Sequence, residues 1–380
     1  MRLPSADAVS SLLELSAPHG ILSVCLHIEP EDRSDGWRIA LKNGLSEVVA
    51  RAGEDDRDAR MALESTAQRV LDRYGADHVP DEGRAHFGFV EVTREGDGRE
   101  EWYQAQVAPP RNEVVHNPKA NLYPLVTVLD DGAARGIVLT SSERARLLSW
   151  NLGLLEEVEA FEIELSSEDW RERKSRRPPN PSAGQGASSS GRDQHNQRLD
   201  ANRQRFLREI GEIVGTRARQ AGWSEVLVLG QTEHAREVAE AANDDLTVRV
   251  VDDHDLISAP VGQIQERLEQ LLEELNRERE RELIERIREK ALADGRGALG
   301  LQRTAAALWE GRVEQLVLDA EREFPHAGLT LPGVELRDDV PLAVQMIEMA
   351  YSTSAGVTPL EGSAAESLAE HEGIGALLRY

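Results

Sequence analysis

RERKSRRPPNPSAGQGASSSGRDQHNQRLDANRQRFLRE, residues 171–209, decides the reading of this chain. Ten cations, Arg171, Arg173, Lys174, Arg176, Arg177, Arg192, Arg198, Arg203, Arg205 and Arg208, stand against Glu172, Asp193, Asp200 and Glu209. The stretch therefore carries a net +6 within a protein of −25, and the remainder carries −31. Two arginine-rich runs enclose a Pro, Gly and Ser segment with Gly184-Gln185-Gly186 at its centre. From about Asp193 to Gln220, Leu199, Phe206, Ile210, Ile213 and Val214 recur at helical spacing. The stretch reads as a loop leading into a long helix. A local surplus of arginine on an acidic background is the pattern of an arm for one polyanion, because the rest of the surface repels such a partner.

Working outward, 380 residues with 40% hydrophobic and 30% charged side chains fit a soluble globular protein of three domains. Only 4% of residues are aromatic, so platforms for stacking single-stranded bases are scarce. The one cysteine, Cys25, sits in the apolar run ILSVCL and reads as a small buried hydrophobe in a reducing compartment, which excludes a disulfide framework or a cysteine-based zinc site. The first twenty residues lack the basic start and continuous apolar core of a signal peptide, and no run is long enough to span a bilayer. A cytoplasmic protein with no membrane partner is expected.

An N-terminal α/β domain is expected over 1–118: GILSVCLHI (20–28) is a buried strand, helices run through Trp37–Val49 and Met61–Tyr74, and HFGFVEVT (86–93) and EWYQAQVAP (101–109) are strands across the turn REGDGR. A central domain, 119–256, opens on LYPLVTVLDD as a strand, followed by GIVLTSSERARLLSWN and LLEEVEAFEIEL, three extended segments that make a meander. After the arginine-rich loop and its helix, which Gly222 ends, come the strand EVLVLGQ (225–231), a helix from His234 to Asn243 and the strand LTVRVVDD (246–253). The last domain, 257–380, leads with a Glu/Arg-rich helix over 261–292 and continues with a helix ending at Gly311, the strand RVEQLVLDAE, the helix VPLAVQMIEMAYSTSAG and the short strand VTPLE. The fold class is α/β in all three.

PLVTVLDD, GIVLTSSERARL, the Gly184-Gln185-Gly186 loop before an arginine-rich helix, EVLVLGQ, GRVEQLVL, VTPLEG and GIGALLRY together resemble the archaeal and eukaryotic class-I release-factor superfamily, in particular its bacterial, Vms-type ribosome-rescue relatives. The resemblance spans roughly residues 120–380 and is distributed over these segments. It implies a central RNase H-like sheet that carries a Gly-Gly-Gln loop to the peptidyl-transferase centre, and a last domain like the kink-turn-binding ribosomal proteins. Gly184 and Gln185 match the second glycine and the glutamine of that loop, while Ala183 replaces the first glycine. Glycine holds φ > 0 freely, whereas alanine adopts it only at a cost. Nothing between Met1 and Pro118 resembles the family's stop-codon reader, and FPHAGLTLPGVELRDD lacks the cysteines with which some relatives bind zinc.

By this resemblance Gln185, flanked by Gly184 and Gly186, orients water at the ester of a peptidyl-tRNA; it does not titrate, so it contributes by positioning and the isolated protein is nearly inactive. Arg171, Arg173, Lys174, Arg176, Arg177, Arg192, Arg198, Arg203 and Arg205 then meet phosphates of tRNA or ribosomal RNA. Plainer accounts stay open: a flexible connector for 181–191, a solvated helix face for the arginines, and solvent-facing or capping roles for His195 and His234. Asp252-Asp253-His254-Asp255 falls at a strand end, where acidic turns are common, and Gly295-Arg296-Gly297 lacks the Lys and Ser/Thr of a phosphate loop, so no metal, nucleotide or other cofactor is expected. The functional alternatives are peptidyl-tRNA cleavage in ribosome rescue, a non-catalytic ribosome-binding hibernation or protective factor, and an acidic adaptor that recruits a protein through the 261–292 helix.

Overall fold

A computed structural model describes residues 2–29, 36–52, 57–75, 83–163, 188–223, 225–242, 245–293 and 295–380. Residues 1–132 and 271–380 form one compact unit and residues 133–270 another. The chain begins with α1 (Ala6–Leu13), capped by the Ser5 side chain accepting from the Ala8 amide at 3.2 Å. Then follow β1 (Ile21–His27), α2 (Gly36–Arg51), α3 (Arg57–Arg73), β2 (Ala85–Glu91), β3 (Glu100–Ala105) and β4 (Glu113–Asn117). The four strands are antiparallel throughout, in the order β3-β2-β1-β4. Trp37, Leu41, Leu45 and Val48 of α2 recur on one helical face and pack, with Leu63, Ala67 and Val70 of α3, against Leu22, Val24 and Leu26 of β1. The strands and helices expected here all form. β4 is an addition, because EVVHN is only half-buried along its length and has no alternation to announce it.

The segment expected to open the central domain as a strand is a helix, α4 (Tyr123–Asp131). Its β-branched residues favour extended backbone locally. Pro124 in the first turn and Gly132 at the C-cap frame a helix instead, and Pro124 through Val128 are all buried in the first unit, where α4 packs on the C-terminal sheet. Burial on nearly every side removes the alternation that distinguishes strand from helix.

In the second unit the meander forms one segment later: β5 (Arg135–Thr140), β6 (Arg144–Asn151) and β7 (Leu154–Glu162) are antiparallel neighbours. After them come α5 (Ser188–Ala221), β8 (Glu225–Gly230), α6 (Thr232–Ala241) and β9 (Thr247–Asp252). The sheet order is β7-β6-β5-β8-β9, with β8 and β9 parallel to β5. This 3-2-1-4-5 succession is the arrangement expected of an RNase H-like sheet. β5 is buried at all six positions and β8 at five of six, as strands covered on both faces require.

α7 (Val261–Ala293) leads into β10 (Gly297–Leu299), α8 (Leu301–Trp309), β11 (Val313–Asp319), α9 (Leu342–Ser352), β12 (Gly356–Leu360), α10 (Gly362–Ser367) and β13 (Ile374–Leu378). Their order is β10-β13-β11-β12, with only β11 and β12 parallel. Leu283, Ile284 and Ile287 of α7 pack against Val317, Leu360, Leu368 and Leu377. Three α/β sheets thus form, as expected from the sequence. Among the described residues no helix is long and apolar enough to cross a membrane.

Candidate nucleic-acid interface

The helix after the arginine-rich loop is positioned by its own apolar stripe. Phe206, Leu207, Ile210, Val214 and Ala218 of α5 pack against Val138, Ala145, Leu147, Val226 and Val228 of the sheet and against Ala235 and Val238 of α6. Burial of Phe206, Leu207, Ile210 and Val214 contributes roughly 1.5–3 kcal/mol each by removing them from water. Gly211 lets α6 come close: a Cβ there would lie 2.5 Å from the Val238 carbonyl oxygen. Gly222, at φ +66°, ends the helix, and the Trp223 amide donates back to the Ala218 carbonyl at 3.0 Å. Trp223 then buries its indole, whose Nε1 donates to Ser149 Oγ at 3.2 Å. The helix is therefore pinned along one side and at its C-terminal end.

That phase decides where the arginines go. At 100° per residue, Arg198, Arg205 and Arg208 fall within an arc of about 80°, on the side opposite Ile210 and Val214, and they extend about 15 Å along the axis. All three are exposed and have no ion-pair partner among the described residues. Glu209 and Glu212 border the same face and are exposed as well. Arg203 departs from this set. It lies on the packed side, half-buried, pairs with Asp200 at 3.1 Å, and keeps its Nε buried without a hydrogen-bond partner among the described residues.

Beside Arg203 stands His234, the third residue of α6. Burial, then the Arg203 charge, push its imidazole below the ordinary value against the pull of Glu233 and Glu237. A solvent-facing or capping histidine was the expectation; His234 is instead half-buried, with Nδ1 lacking a partner among the described residues. The Arg203–His234 neighbourhood joins two helices far apart in sequence, so only a tertiary contact reveals it. Arg192 lies in α5, and its side chain is outside the described residues, as is that of His195. Arg171, Arg173, Lys174, Arg176, Arg177, Gly184, Gln185 and Gly186 also lie outside them.

Two charged arrangements that the sequence reading missed hold the sheet beneath this helix. On the β6–β7 hairpin, Arg144 pairs with Glu162 at 2.9 Å, and Arg146 grips Glu157 through two bonds of 3.0 and 2.8 Å while donating to the Ala259 carbonyl at 2.6 Å. The Arg146 bonds hold the Glu157 carboxyl below its ordinary range. Alternating arginines in RARLLSWN opposite LLEEVEAFE were the available signal. A groove of about 640 Å³ lies here, lined by Arg144, Arg146, Phe161, Glu162, Ile257 and Pro260, but both arginines are already engaged by carboxylates. Across β5, β8 and β9, Glu225 bridges buried Arg135 at 3.4 Å and Arg249 at 2.5 Å. In the turn after β9, Asp253 pairs with Arg267 at 3.2 Å. Among the described residues no group of three or more His, Cys, Asp or Glu is placed to hold a metal.

Residues 133–268 match the family model of bacterial archaeo-eukaryotic release factor family 5, and these bounds agree within two residues with the compact unit Ala133–Gln270. This stretch is similar to the bacterial relatives of the archaeal and eukaryotic release factors. Among solved structures, Archaeoglobus fulgidus Pelota is 14% identical, with 100% of this chain and 94% of that one covered and a TM-score of 0.33. S. cerevisiae Dom34 is 10% identical over 78% of this chain and 79% of that one, with a TM-score of 0.40. The archaeal translation termination factor aRF1 is 17% identical over 99% and 97%, with a TM-score of 0.26. Among curated proteins nothing matches. The relationship rests on the family match over the RNase H-like unit, and this release-factor-like unit is the one that carries the arginine face of α5.

Proposed function

We propose that this release-factor-like chain works on the ribosome in the cytoplasm, docks on tRNA or ribosomal RNA through the arginines around its 181–191 segment, and presents Gln185 near the tRNA acceptor end to release a stalled peptide without reading a stop codon. The supporting observation is the family match over 133–268, in which the only strongly cationic stretch of an acidic chain precedes and enters α5. Arg198, Arg205 and Arg208, without an ion-pair partner among the described residues, supply a cationic edge about 15 Å long, suited to a phosphate backbone rather than to bases, for which aromatic platforms are scarce. In this reading Gln185 holds water or the developing oxyanion, and Gly184 and Gly186 leave the backbone free to approach the ester.

Stalled ribosome–nascent-chain complexes test the chemistry. The intact chain is expected to cleave the peptidyl-tRNA ester, and Gln185→Ala to slow that step by about 100-fold, the scale of one lost oxyanion-type donor. No cleavage, or equal cleavage by the variant, removes the catalytic part of the proposal. One observation favours a second reading: Ala183 stands where the family's loop has its first glycine. A non-catalytic hibernation or protective factor would bind vacant ribosomes equally well with Gln185→Ala and cleave nothing.

A further inference from the structure

Helix α4 ends unusually. Its last turn carries Asp130 and Asp131 and no basic residue, although a helix C-terminus already presents negative dipole charge. Compensation comes from α7. Asn276, only 7% exposed, donates to the Asp131 carbonyl at 3.2 Å and to its carboxylate at 3.4 Å, and Arg279 pairs with Asp130 at 2.6 Å. One turn of α7 thus supplies donors to the end of α4. The next residue, Glu280, breaks the pattern: it is half-buried at the same junction and has no hydrogen-bond or ion-pair partner among the described residues.

Glu280 lies one helical turn beyond Asn276, on the same face of α7, and among the described residues the charged groups that act on it are Asp130 and Asp131 on α4, Arg279 on α7 and Glu361 just after β12; Asp130 acts likewise on Tyr351 of α9. An ionised Glu280 would therefore meet three carboxylates and one guanidinium in a place water reaches poorly. We propose that the α4–α7 junction is a proton-operated latch, closed while Glu280 is protonated and loosened when it ionises. Its position gives the latch consequence. The chain leaves the first compact unit after Gly132 and re-enters it at Leu271, so the junction anchors both connections to residues 133–270 within ten residues of the crossing points.

Burial, followed by Asp131, holds the Glu280 carboxyl at about 7 against the opposing pull of Arg279, whereas the ordinary value is 4.5. The folded junction therefore retains a proton that the unfolded chain has lost. The contribution of this proton to the junction's stability is fully present below pH 4.5 and is lost as the pH rises through about 7.

Hydrogen exchange of the full chain, corrected for intrinsic rates, reads the latch directly. Between pH 6 and pH 8, peptides covering 123–132 and 271–285 are expected to gain about threefold or more in corrected exchange relative to the rest of the chain. Glu280→Gln, which cannot ionise, should abolish that gain, while Glu274→Gln, on an exposed part of the same helix, should leave it intact. Equal corrected exchange at the two pH values in the parent chain overturns the proposal, and this readout stands even if the glutamine variant folds poorly. Persistence of the gain in a folded Glu280→Gln variant overturns it as well.

Discussion

Conversion of Arg198, Arg205 and Arg208 together to glutamate is expected to weaken ribosome binding by about 100-fold or more at 0.15 M salt while leaving the fold intact. Each arginine that meets a phosphate releases a condensed counterion, so three lost contacts remove roughly two to three units from the slope of log affinity against log salt. Reversal of the charge adds repulsion to that loss. The fold should survive because the three side chains are exposed, oppose the packed face of α5 and have no ion-pair partner among the described residues. Arg203→Glu is the instructive control: this side chain faces the packed side beside Asp200 and His234, so its replacement should cost stability more than affinity. Cosedimentation of each variant with purified ribosomes, alongside its thermal midpoint, separates the two effects. A triple variant that binds as tightly as the parent would remove α5 from the interface.

Glu225→Ala is expected to destabilise the release-factor-like unit by about 3–5 kcal/mol, the cost of leaving a buried cation without its carboxylate. Arg135 is 2% exposed and Arg249 is half-buried, and Glu225 is the acid that bridges both across the parallel strands β5, β8 and β9. Urea denaturation of the full chain measures the change. Because much of the intact triad's Coulomb gain only offsets the desolvation of its charges, a double replacement Arg135→Met with Glu225→Leu should be far milder than Glu225→Ala alone. A loss below about 1 kcal/mol for the single variant would mean that water or other groups reach Arg135 when Glu225 is gone.

Much of this architecture was legible because local pattern and tertiary role agree. GILSVCLHI, EVLVLGQ and RVEQLVLDAE read as strands and form them, since their apolar runs are too short for a buried helix and are bounded by turn residues. YPLVTVLDD misled for the same reason in reverse: a short β-branched run buried almost all round gives no period, and Pro124 with Gly132 tips it to helix. β13, from IGALL, shows how a segment whose every residue is buried carries no alternation at all.

At the candidate interface, charge was legible and direction was only partly so. The core positions Phe206, Ile210 and Val214 set the phase of α5, and that phase already separates Arg198, Arg205 and Arg208 from Arg203. The neighbours of Arg203 on α6 and of Glu280 on α4 could not be read this way. His234 lies thirty-one positions beyond Arg203, and Asp131 lies 149 positions before Glu280, so the contacts exist only once sheets and helices have packed.

In the proposed function a localised arginine arm brings this acidic chain to the ribosome. Binding of the unmodified chain to vacant ribosomes, followed from 50 mM to 500 mM monovalent salt, tests it most directly. The account predicts a linear fall of log affinity with log salt and a slope of about −2 or steeper, because at least three phosphates are neutralised at roughly 0.7–0.9 each. Affinity that is flat across this range, or no binding even at 50 mM, would contradict it.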